Sequence, residues 1–199
     1  TIYDEVDFVD SGFRAVAAGL DPTGSAPLVA FLRERFASCG SGRVFDDTIA
    51  RFGLTQPITA LVELYRSHSP DIALPSARAE VLAELHGRAR FSLVSDGPYR
   101  TQRNKFDRLG LAAIVERPVF TDRLGAPKPA PAAFEAVMRD FADEREFVYV
   151  ADNPRKDFIA PRALGWRTIR FRNPRGIYRE HEGAADVEID AFERLPAVL

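Results

Sequence analysis

The chain has 199 residues, of which 46% are hydrophobic and 28% are charged, and its formal net charge at pH 7 is -2. This composition is that of an ordinary globular protein and excludes a disordered chain, a collagen-like fibre and a coiled coil. The sequence shows no apolar run near the roughly 20 residues of a membrane span, no signal-peptide pattern and no basic excess, so we expect neither a membrane nor a nucleic-acid partner.

Apolar residues recur at helical spacing along the first third of the chain, without a convincing strand. We predict four helices in this region, over residues 6–17, 28–36, 43–53 and 59–68. Ser25 is the predicted N-cap of the second helix, Pro27 fits the first turn of that helix, and Gly53 ends the third helix. We interpret residues 10–75 as a helical insert.

After Pro75 the pattern changes to helices that alternate with short apolar strands. The predicted helices cover residues 77–86, 99–109, 131–141 and 157–164. The predicted strands cover residues 91–94, 118–120, 147–151, 167–171 and 186–189. Such alternation is typical of a parallel sheet with helices on both faces, which predicts a doubly wound α/β core of residues 1–9 and 76–199. In such a core the ligand binds at the carboxyl ends of the strands.

Polar residues that can carry chemistry stand at these strand ends. Ser95 and Asp152 each follow an apolar strand, and Lys128 lies between two prolines ahead of a helix. Each of them alone has an ordinary explanation, as a turn residue, a helix cap or a solvated loop residue. Together with Asp157 they indicate a site, because two carboxylates suit Mg²⁺, while a lysine and a hydroxyl suit a phosphoryl group.

Cysteine and histidine are not spaced as metal ligands. Cys39 is the single cysteine, so no internal disulfide is possible, and this fits a reducing compartment. The three histidines, His68, His86 and His181, are far apart and show no zinc-ligand spacing. We therefore expect a cytoplasmic protein that holds no zinc.

Four segments follow one another in a recognisable order. Residues 91–97 (FSLVSDG) form an apolar strand that ends in a serine, and residues 125–134 (GAPKPAPAAF) place a lysine between prolines. Residues 148–157 (VYVADNPRKD) combine an apolar strand with two acids, and residues 163–169 (ALGWRTI) follow. In this order they resemble the later motifs of the haloacid dehalogenase-like (HAD) superfamily of phosphohydrolases. The resemblance covers nearly the whole chain and implies a Rossmann-like core, an inserted helical-bundle cap, and a monomer or homodimer.

The resemblance also implies roles for individual residues. Ser95 would hydrogen-bond the phosphoryl oxygens, and Lys128 would hold the charge of the nucleophile and of the phosphoryl group. Asp152 would bind Mg²⁺ directly, and Asp157 would support the ion directly or through water. The implied substrate-binding residues are Tyr3, Ser95, Asp96, Gly97 and Lys128.

Two positions depart from the family pattern within these motifs. Ala151 replaces the glycine that usually precedes the first acid, which we expect to be harmless because alanine is the next smallest residue. Asp96 stands where asparagine is common, and we expect it to contribute mainly through its backbone.

The first motif of the family, Asp-x-Asp-x-Thr at the end of the first strand, is the largest departure. Its first aspartate is the nucleophile and its second is the general acid and base. Thr1 resembles the threonine of this motif, so the resemblance places the missing strand and both aspartates just upstream of Thr1. Residues 45–48 (FDDT) are similar only superficially, because they lie in the helical insert and lack the intervening residue.

The implied function is Mg²⁺-dependent hydrolysis of a small phosphorylated metabolite, such as a sugar phosphate, phosphoglycolate or a nucleoside monophosphate, through an aspartyl-phosphate. Two alternatives stay open at this point. One is a 2-haloacid dehalogenase on the same fold, which needs no metal. The other is a non-catalytic binding protein, which would follow if nothing preceded Thr1.

Overall fold

A computed structural model describes residues 1–199. The chain divides into two compact units, one formed by Thr1–Val6 with Ile72–Leu199 and the other by Asp7–Asp71. The sequence-based division into residues 1–9 with 76–199 and residues 10–75 stays a prediction, as does the role of the helical unit as a cap. None of the helices combines the length and the apolar character that crossing a membrane requires.

Four helices build the first third of the chain. They are α1 (Glu5–Leu20), α2 (Ser25–Cys39), α3 (Val44–Phe52) and α4 (Ile58–Ser67). Phe13, Leu32 and Val44 are buried together in an apolar cluster of this unit. Gly53 ends α3 in the left-handed conformation that glycine adopts without strain, as predicted.

The predicted cap of α2 is wrong. Ser25 is already the first helical residue, Gly24 precedes the helix, and no side chain caps it. The reason lies in the preceding turn, where the Asp21 carboxylate accepts the backbone N–H groups of Thr23 and Gly24 at 3.0 and 2.9 Å. Asp21 thus closes the turn from outside the helix, an arrangement typical of aspartate.

The second unit alternates helices and strands. Its helices are α5 (Ser76–His86), α6 (Tyr99–Arg108), α7 (Thr121–Leu124), α8 (Ala132–Asp140), α9 (Ile159–Ala163) and α10 (Leu195–Val198). Its strands are β1 (Phe91–Ser95), β2 (Val115–Phe120), β3 (Val148–Ala151), β4 (Arg167–Phe171) and β5 (Val187–Ile189). The helix predicted over residues 157–164 is shorter than expected, because Asp157 lies in a turn and accepts the Asn153 N–H at 3.0 Å.

The strands form two parallel sheets. β1 pairs with β2 in one sheet, and the order in the other is β3-β4-β5. The parallel pairing and the intervening helices confirm the predicted α/β fold class. One edge of β1 and one edge of β3 pair with no strand, and Val148 at the start of β3 is 37% exposed. By contrast, four of the five residues of the central β4 are buried.

Two apolar layers cover both sheets. On one side, α5 packs with residues of β1, β3, β4 and β5, including Phe91, Val150 and Ile169. On the other side, α8 packs with Val94 of β1, with β2, and with Tyr149 of β3. Since both layers bridge both sheets, the two sheets share one hydrophobic core, as the halves of a single sheet would.

Phe134 of α8 is the centre of the second layer. Its side chain is fully buried and makes edge-to-face contacts with Tyr149 and Trp166, at ring-centroid distances of 4.9 and 5.5 Å.

Phe134→Ala is expected to lower the free energy of unfolding by about 3–5 kcal/mol, through lost burial and a residual cavity. Urea unfolding measures the free energy of unfolding of this variant, and Leu124→Ala, at an exposed position, is the control. If the two changes had equal effects, Phe134 would not be the centre of this core layer.

Candidate active site

The polar residues predicted at the strand ends take part in two separate sets of hydrogen bonds, here called the two arms of the site. In the first arm, the Lys128 ammonium contacts Asp157 at 2.7 Å, and the Lys128 backbone N–H donates to Asp96 at 3.1 Å. In the second arm, the Thr1 hydroxyl donates to Asp152 at 2.6 Å. The strand-end rule for parallel sheets therefore located residues that meet in space, although they are far apart in sequence.

Lys128 is held in a buried position in which two of its three N–H donors have partners. Its side chain is 8% exposed, and besides Asp157 its ammonium contacts the Tyr149 hydroxyl at 3.0 Å. Burial alone lowers the pKa of Lys128, but Tyr149 and Asp157 outweigh it and the pKa lies above its usual value. Burial, opposed by Lys128, raises the pKa of Tyr149 to about 12. At neutral pH the site thus contains a charged amine and a neutral phenol whose oxygen accepts a hydrogen bond from that amine.

The Asp96 carboxylate accepts hydrogen bonds from three donors, while the expected contribution of its backbone stays a prediction. One carboxylate oxygen accepts the Thr121 hydroxyl at 2.8 Å and the Lys128 N–H, and the other contacts the Lys156 ammonium at 2.5 Å. Burial works to raise the pKa of Asp96, but these donors, led by Lys156, hold the pKa below its usual value. An ionised Asp96 therefore joins the segments after β1, β2 and β3.

Ser95 and Gly97 lie beside Gln102 of α6. The Ser95 hydroxyl donates to the Gln102 side-chain oxygen at 2.8 Å. Gly97 has a φ of 111°, and a Cβ atom there would lie 2.9 Å from the Gln102 nitrogen, so only glycine suits this turn. The amide of Gln102 orients the serine hydroxyl predicted to bind phosphoryl oxygens.

Asp152 is a mostly buried acid at the carboxyl end of β3. Its carboxylate accepts the Thr1 hydroxyl at 2.6 Å and lies within the electrostatic influence of Lys128, and both interactions favour the ionised form against the effect of burial. Asp152 is therefore ionised at neutral pH. An ionised carboxylate at a strand end is a suitable ligand for a hard cation such as Mg²⁺.

Asp157 does not share this arrangement. One of its oxygens contacts Lys128 and the other accepts the backbone N–H of Asn153, so both are engaged by protein donors. No group of three or more His, Cys, Asp or Glu residues is placed to hold a metal ion. Of the two predicted metal ligands, Asp152 fits the chemistry of Mg²⁺, whereas Asp157 is placed as the partner of Lys128.

Tyr3, predicted to contact substrate, belongs to a separate cluster of the same unit. Its hydroxyl donates to Glu5, which also accepts the buried Lys105 ammonium of α6 at 2.9 Å. The Lys105 ammonium lies 5.7 Å from the centroid of the Tyr3 ring. This contact fastens the segment before α1 to α6, and a substrate role for Tyr3 stays a prediction.

Sequence reasoning missed several residues of the site. Gln102, Thr121 and Tyr149 each hydrogen-bond a predicted site residue, and Lys156 pairs with Asp96. Lys156 and Thr121 had a detectable signal, since each directly neighbours a strand end or a predicted acid. Tyr149 had none, because an aromatic residue in an apolar strand is an ordinary core residue.

Comparisons with known proteins place this arrangement in a family. A family model described as haloacid dehalogenase-like hydrolase matches residues 13–165. No curated protein matches the chain.

Several solved structures share the fold. A 2-haloacid dehalogenase from Pseudomonas syringae pv. Tomato DC3000 is 21% identical, with a TM-score of 0.64 over 100% of this chain and 93% of that one. CbbY from Rhodobacter sphaeroides, in complex with phosphate, is 20% identical, with a TM-score of 0.62 over 98% and 92%. YfnB from Bacillus subtilis, bound to magnesium, is 14% identical, with a TM-score of 0.63 over 96% and 82%. These similarities concern the fold, and the family match identifies the chain as a member of the haloacid dehalogenase-like hydrolase family.

Proposed function

We propose that the protein is a Mg²⁺-dependent phosphohydrolase that acts on a small phosphorylated metabolite through an aspartyl-phosphate intermediate. The observation that carries the proposal is the convergence, at the strand ends, of an ionised Asp152, a protonated Lys128 and the hydroxyl of Ser95. A phosphoryl group in transfer carries negative charge on its oxygens, and a fixed cation with oriented donors stabilises that charge.

The nucleophile is proposed to lie on a strand that precedes Thr1. Support comes from the open edges of β1 and β3, which expose unpaired backbone groups beside a shared hydrophobic core. One parallel strand between these edges would join the two sheets into one. Because Thr1 contacts Asp152 at the carboxyl end of β3, such a strand would deliver the residues before Thr1 to the same end.

The chemistry follows from the Asp-x-Asp pair that the family resemblance implies. The first carboxylate would attack phosphorus, the ester P–O bond would break, and the second aspartate would protonate the leaving alcohol. The same aspartate would then accept a proton from the water that hydrolyses the aspartyl-phosphate. Lys128 and Ser95 would hold the phosphoryl oxygens in both steps.

Mg²⁺ would be held by Asp152 together with the upstream aspartates. When bound it supplies electrostatic stabilisation of the phosphoryl charge. The residues of this chain would orient the group: the ionised Asp152 is fixed by the Thr1 hydroxyl, and Lys128 is fixed by Asp157 and Tyr149. The proposed substrates remain a sugar phosphate, phosphoglycolate or a nucleoside monophosphate.

A second candidate function is hydrolytic dehalogenation of a 2-haloacid. The specific observation in its favour is that Lys128 and Asn153 engage both oxygens of Asp157, so one predicted metal ligand has another use. Metal-free hydrolysis of a carbon–halogen bond would need the upstream nucleophile and Lys128 but not a metal-binding Asp152. The two functions therefore differ in their need for Mg²⁺ and in their substrates.

The decisive experiment uses the full-length protein, made with whatever residues its gene encodes before Thr1. We expect an apolar run that ends in Asp-x-Asp, and activity on a panel of phosphorylated metabolites that needs Mg²⁺ and stops when a chelator is added. Chelator-resistant chloride release from 2-chloropropionate would support the dehalogenase instead. Absence of the Asp-x-Asp motif and of both activities would contradict any hydrolase function and leave the binding protein.

A further inference from the structure

A buried carboxylate that the proposed chemistry does not use lies three residues after Thr1. Asp4 is 5% exposed and accepts three hydrogen bonds from side chains. Arg78 and Asn173 donate to one carboxylate oxygen at 2.7 Å each, and Arg175 donates to the other at 2.8 Å. Burial works to raise the pKa of Asp4, but these donors, led by Asn173, keep it below its usual value, so the carboxylate is ionised.

These contacts join three separate segments of the α/β unit. Asp4 ends the segment before α1, Arg78 lies in the first turns of α5, and Asn173 with Arg175 follows β4. Arg78 also donates to the Thr1 carbonyl at 3.3 Å, and its guanidinium lies 5.1 Å from the centroid of Phe171. Both ends of the segment Thr1–Asp4 are therefore held by the same arginine.

The held segment carries the Thr1 hydroxyl, which donates to Asp152 at 2.6 Å. We infer that Asp4 is a positioning residue, which fixes the segment Thr1–Asp4 so that the Thr1 hydroxyl orients the Asp152 carboxylate. The inference rests on the proposed function, because orientation of Asp152 matters for catalysis only if this carboxylate binds Mg²⁺. Groups that hydrogen-bond a metal ligand set its orientation, and their loss typically lowers metal affinity or activity about 10–100-fold.

A purely structural role for Asp4 is the competing explanation. Loss of the carboxylate leaves the largely buried Arg78 without its charge partner. An unpaired buried charge lowers the stability of the fold whether or not the residue also positions a metal ligand. Stability alone therefore does not separate the two roles. The two roles differ in one respect. If Asp4 is a positioning residue, Asp4 and Thr1 affect catalysis through the same contacts, which lead from Asp4 through Thr1 to Asp152.

The test is a double-mutant cycle in the full-length protein. Asp4→Asn keeps the shape of the side chain and removes its charge, whereas Thr1→Val removes only the hydroxyl that reaches Asp152. Each change is expected to lower kcat about 10–100-fold and to raise the Mg²⁺ concentration for half-maximal activity about tenfold, with KM for the substrate nearly unchanged. Because both changes break one chain of contacts, the double variant should be little worse than either single variant. Asp4→Glu, which retains the charge, should recover part of the loss.

A second readout does not depend on turnover. Mg²⁺ should raise the melting temperature of the parent, and the same concentration of Mg²⁺ should raise it less in Asp4→Asn and in Thr1→Val. Asp190→Asn is the matched control, since Asp190 pairs with Arg194 on the surface of the same unit and should retain the parent response. If Asp4→Asn folds too poorly for assay, Arg175→Gln replaces it, because this change withdraws one exposed donor and leaves the two buried donors in place.

The outcomes are distinct. Multiplicative losses in the double variant, or an unchanged half-maximal Mg²⁺ concentration in Asp4→Asn, would overturn the positioning role and leave Asp4 as a structural ion pair. A parent without Mg²⁺-dependent activity would overturn the proposed function instead. Non-additive losses, together with a weaker Mg²⁺-induced thermal shift in both single variants, are the result that we expect.

Discussion

Replacing Asp152 with asparagine is expected to lower the Mg²⁺-dependent phosphatase activity of the full-length protein by about a hundredfold or more. A bound metal ion stabilises a phosphoryl transition state by several kcal/mol, and each 1.4 kcal/mol is about a factor of ten in rate. The substituted asparagine would keep the hydrogen bond from Thr1 but lose the charge that binds the ion. The Mg²⁺ concentration for half-maximal activity should rise together with the fall in kcat.

The measurement is kcat at several Mg²⁺ concentrations, with a thermal melt of each variant. Asp190→Asn is again the matched control, because it removes a carboxylate that is 77% exposed and pairs with Arg194. This control should retain parent activity. An Asp152→Asn variant that is folded, active and insensitive to chelator would contradict the metal-dependent mechanism and favour the dehalogenase.

The position of Asp152 at a strand end was predictable, because it depends on the local pattern of apolar and polar residues. An apolar run of four or five residues followed by a polar residue marks a strand and its end; β3 ended at the predicted residue, and β1 ended one residue later than predicted. Gly53 likewise marked a helix end through its own backbone preference. The fold class follows from such signals, and so does the predicted location of the site, since parallel strands bring their carboxyl ends to one edge.

The pairing of side chains within the site was not predictable in this way. Asp157, whose role at a metal stays a prediction, contacts Lys128, which lies 29 residues away in sequence. Asp4 meets Asn173 across 169 residues, and nothing near Asp4 in the sequence distinguishes it from a surface acid. Such partners are set by the packing of α5, α8 and the loops on the sheets. Local periodicity contains no information about that packing.

The Lys128–Asp157 pair carries the second prediction, which concerns the stability of the full-length protein and does not depend on the proposed nucleophile. The two side chains are 8% and 5% exposed, and 2.7 Å separates the ammonium from the carboxylate. Lys128→Met removes the cation and leaves a buried carboxylate with a single backbone donor. Breaking a buried ion pair from one side typically costs about 3–5 kcal/mol, and we expect a loss of unfolding free energy in that range.

A second substitution tests the cause of that loss. Lys128→Met combined with Asp157→Asn removes the uncompensated charge but preserves a side-chain oxygen that can accept the Asn153 N–H. The double variant should therefore be more stable than Lys128→Met alone, with a coupling energy of about 1–3 kcal/mol in urea unfolding. Arg194→Met, which breaks a pair whose arginine is 63% exposed, should cost no more than about 1 kcal/mol.

The stabilities of these three variants together show whether the ion pair or the packing of the lysine side chain stabilises the region around Lys128 and Asp157. If Lys128→Met cost no more than Arg194→Met, the buried pair would contribute nothing beyond a surface contact. If the double variant were as unstable as Lys128→Met, the loss would come from packing of the lysine stem rather than from an unpaired charge. Recovery in the double variant would instead show that the loss comes from leaving the buried Asp157 carboxylate without its cation. Such dependence would identify the pair as a fixed structural unit of the site, one that keeps the Lys128 ammonium in place before any substrate binds.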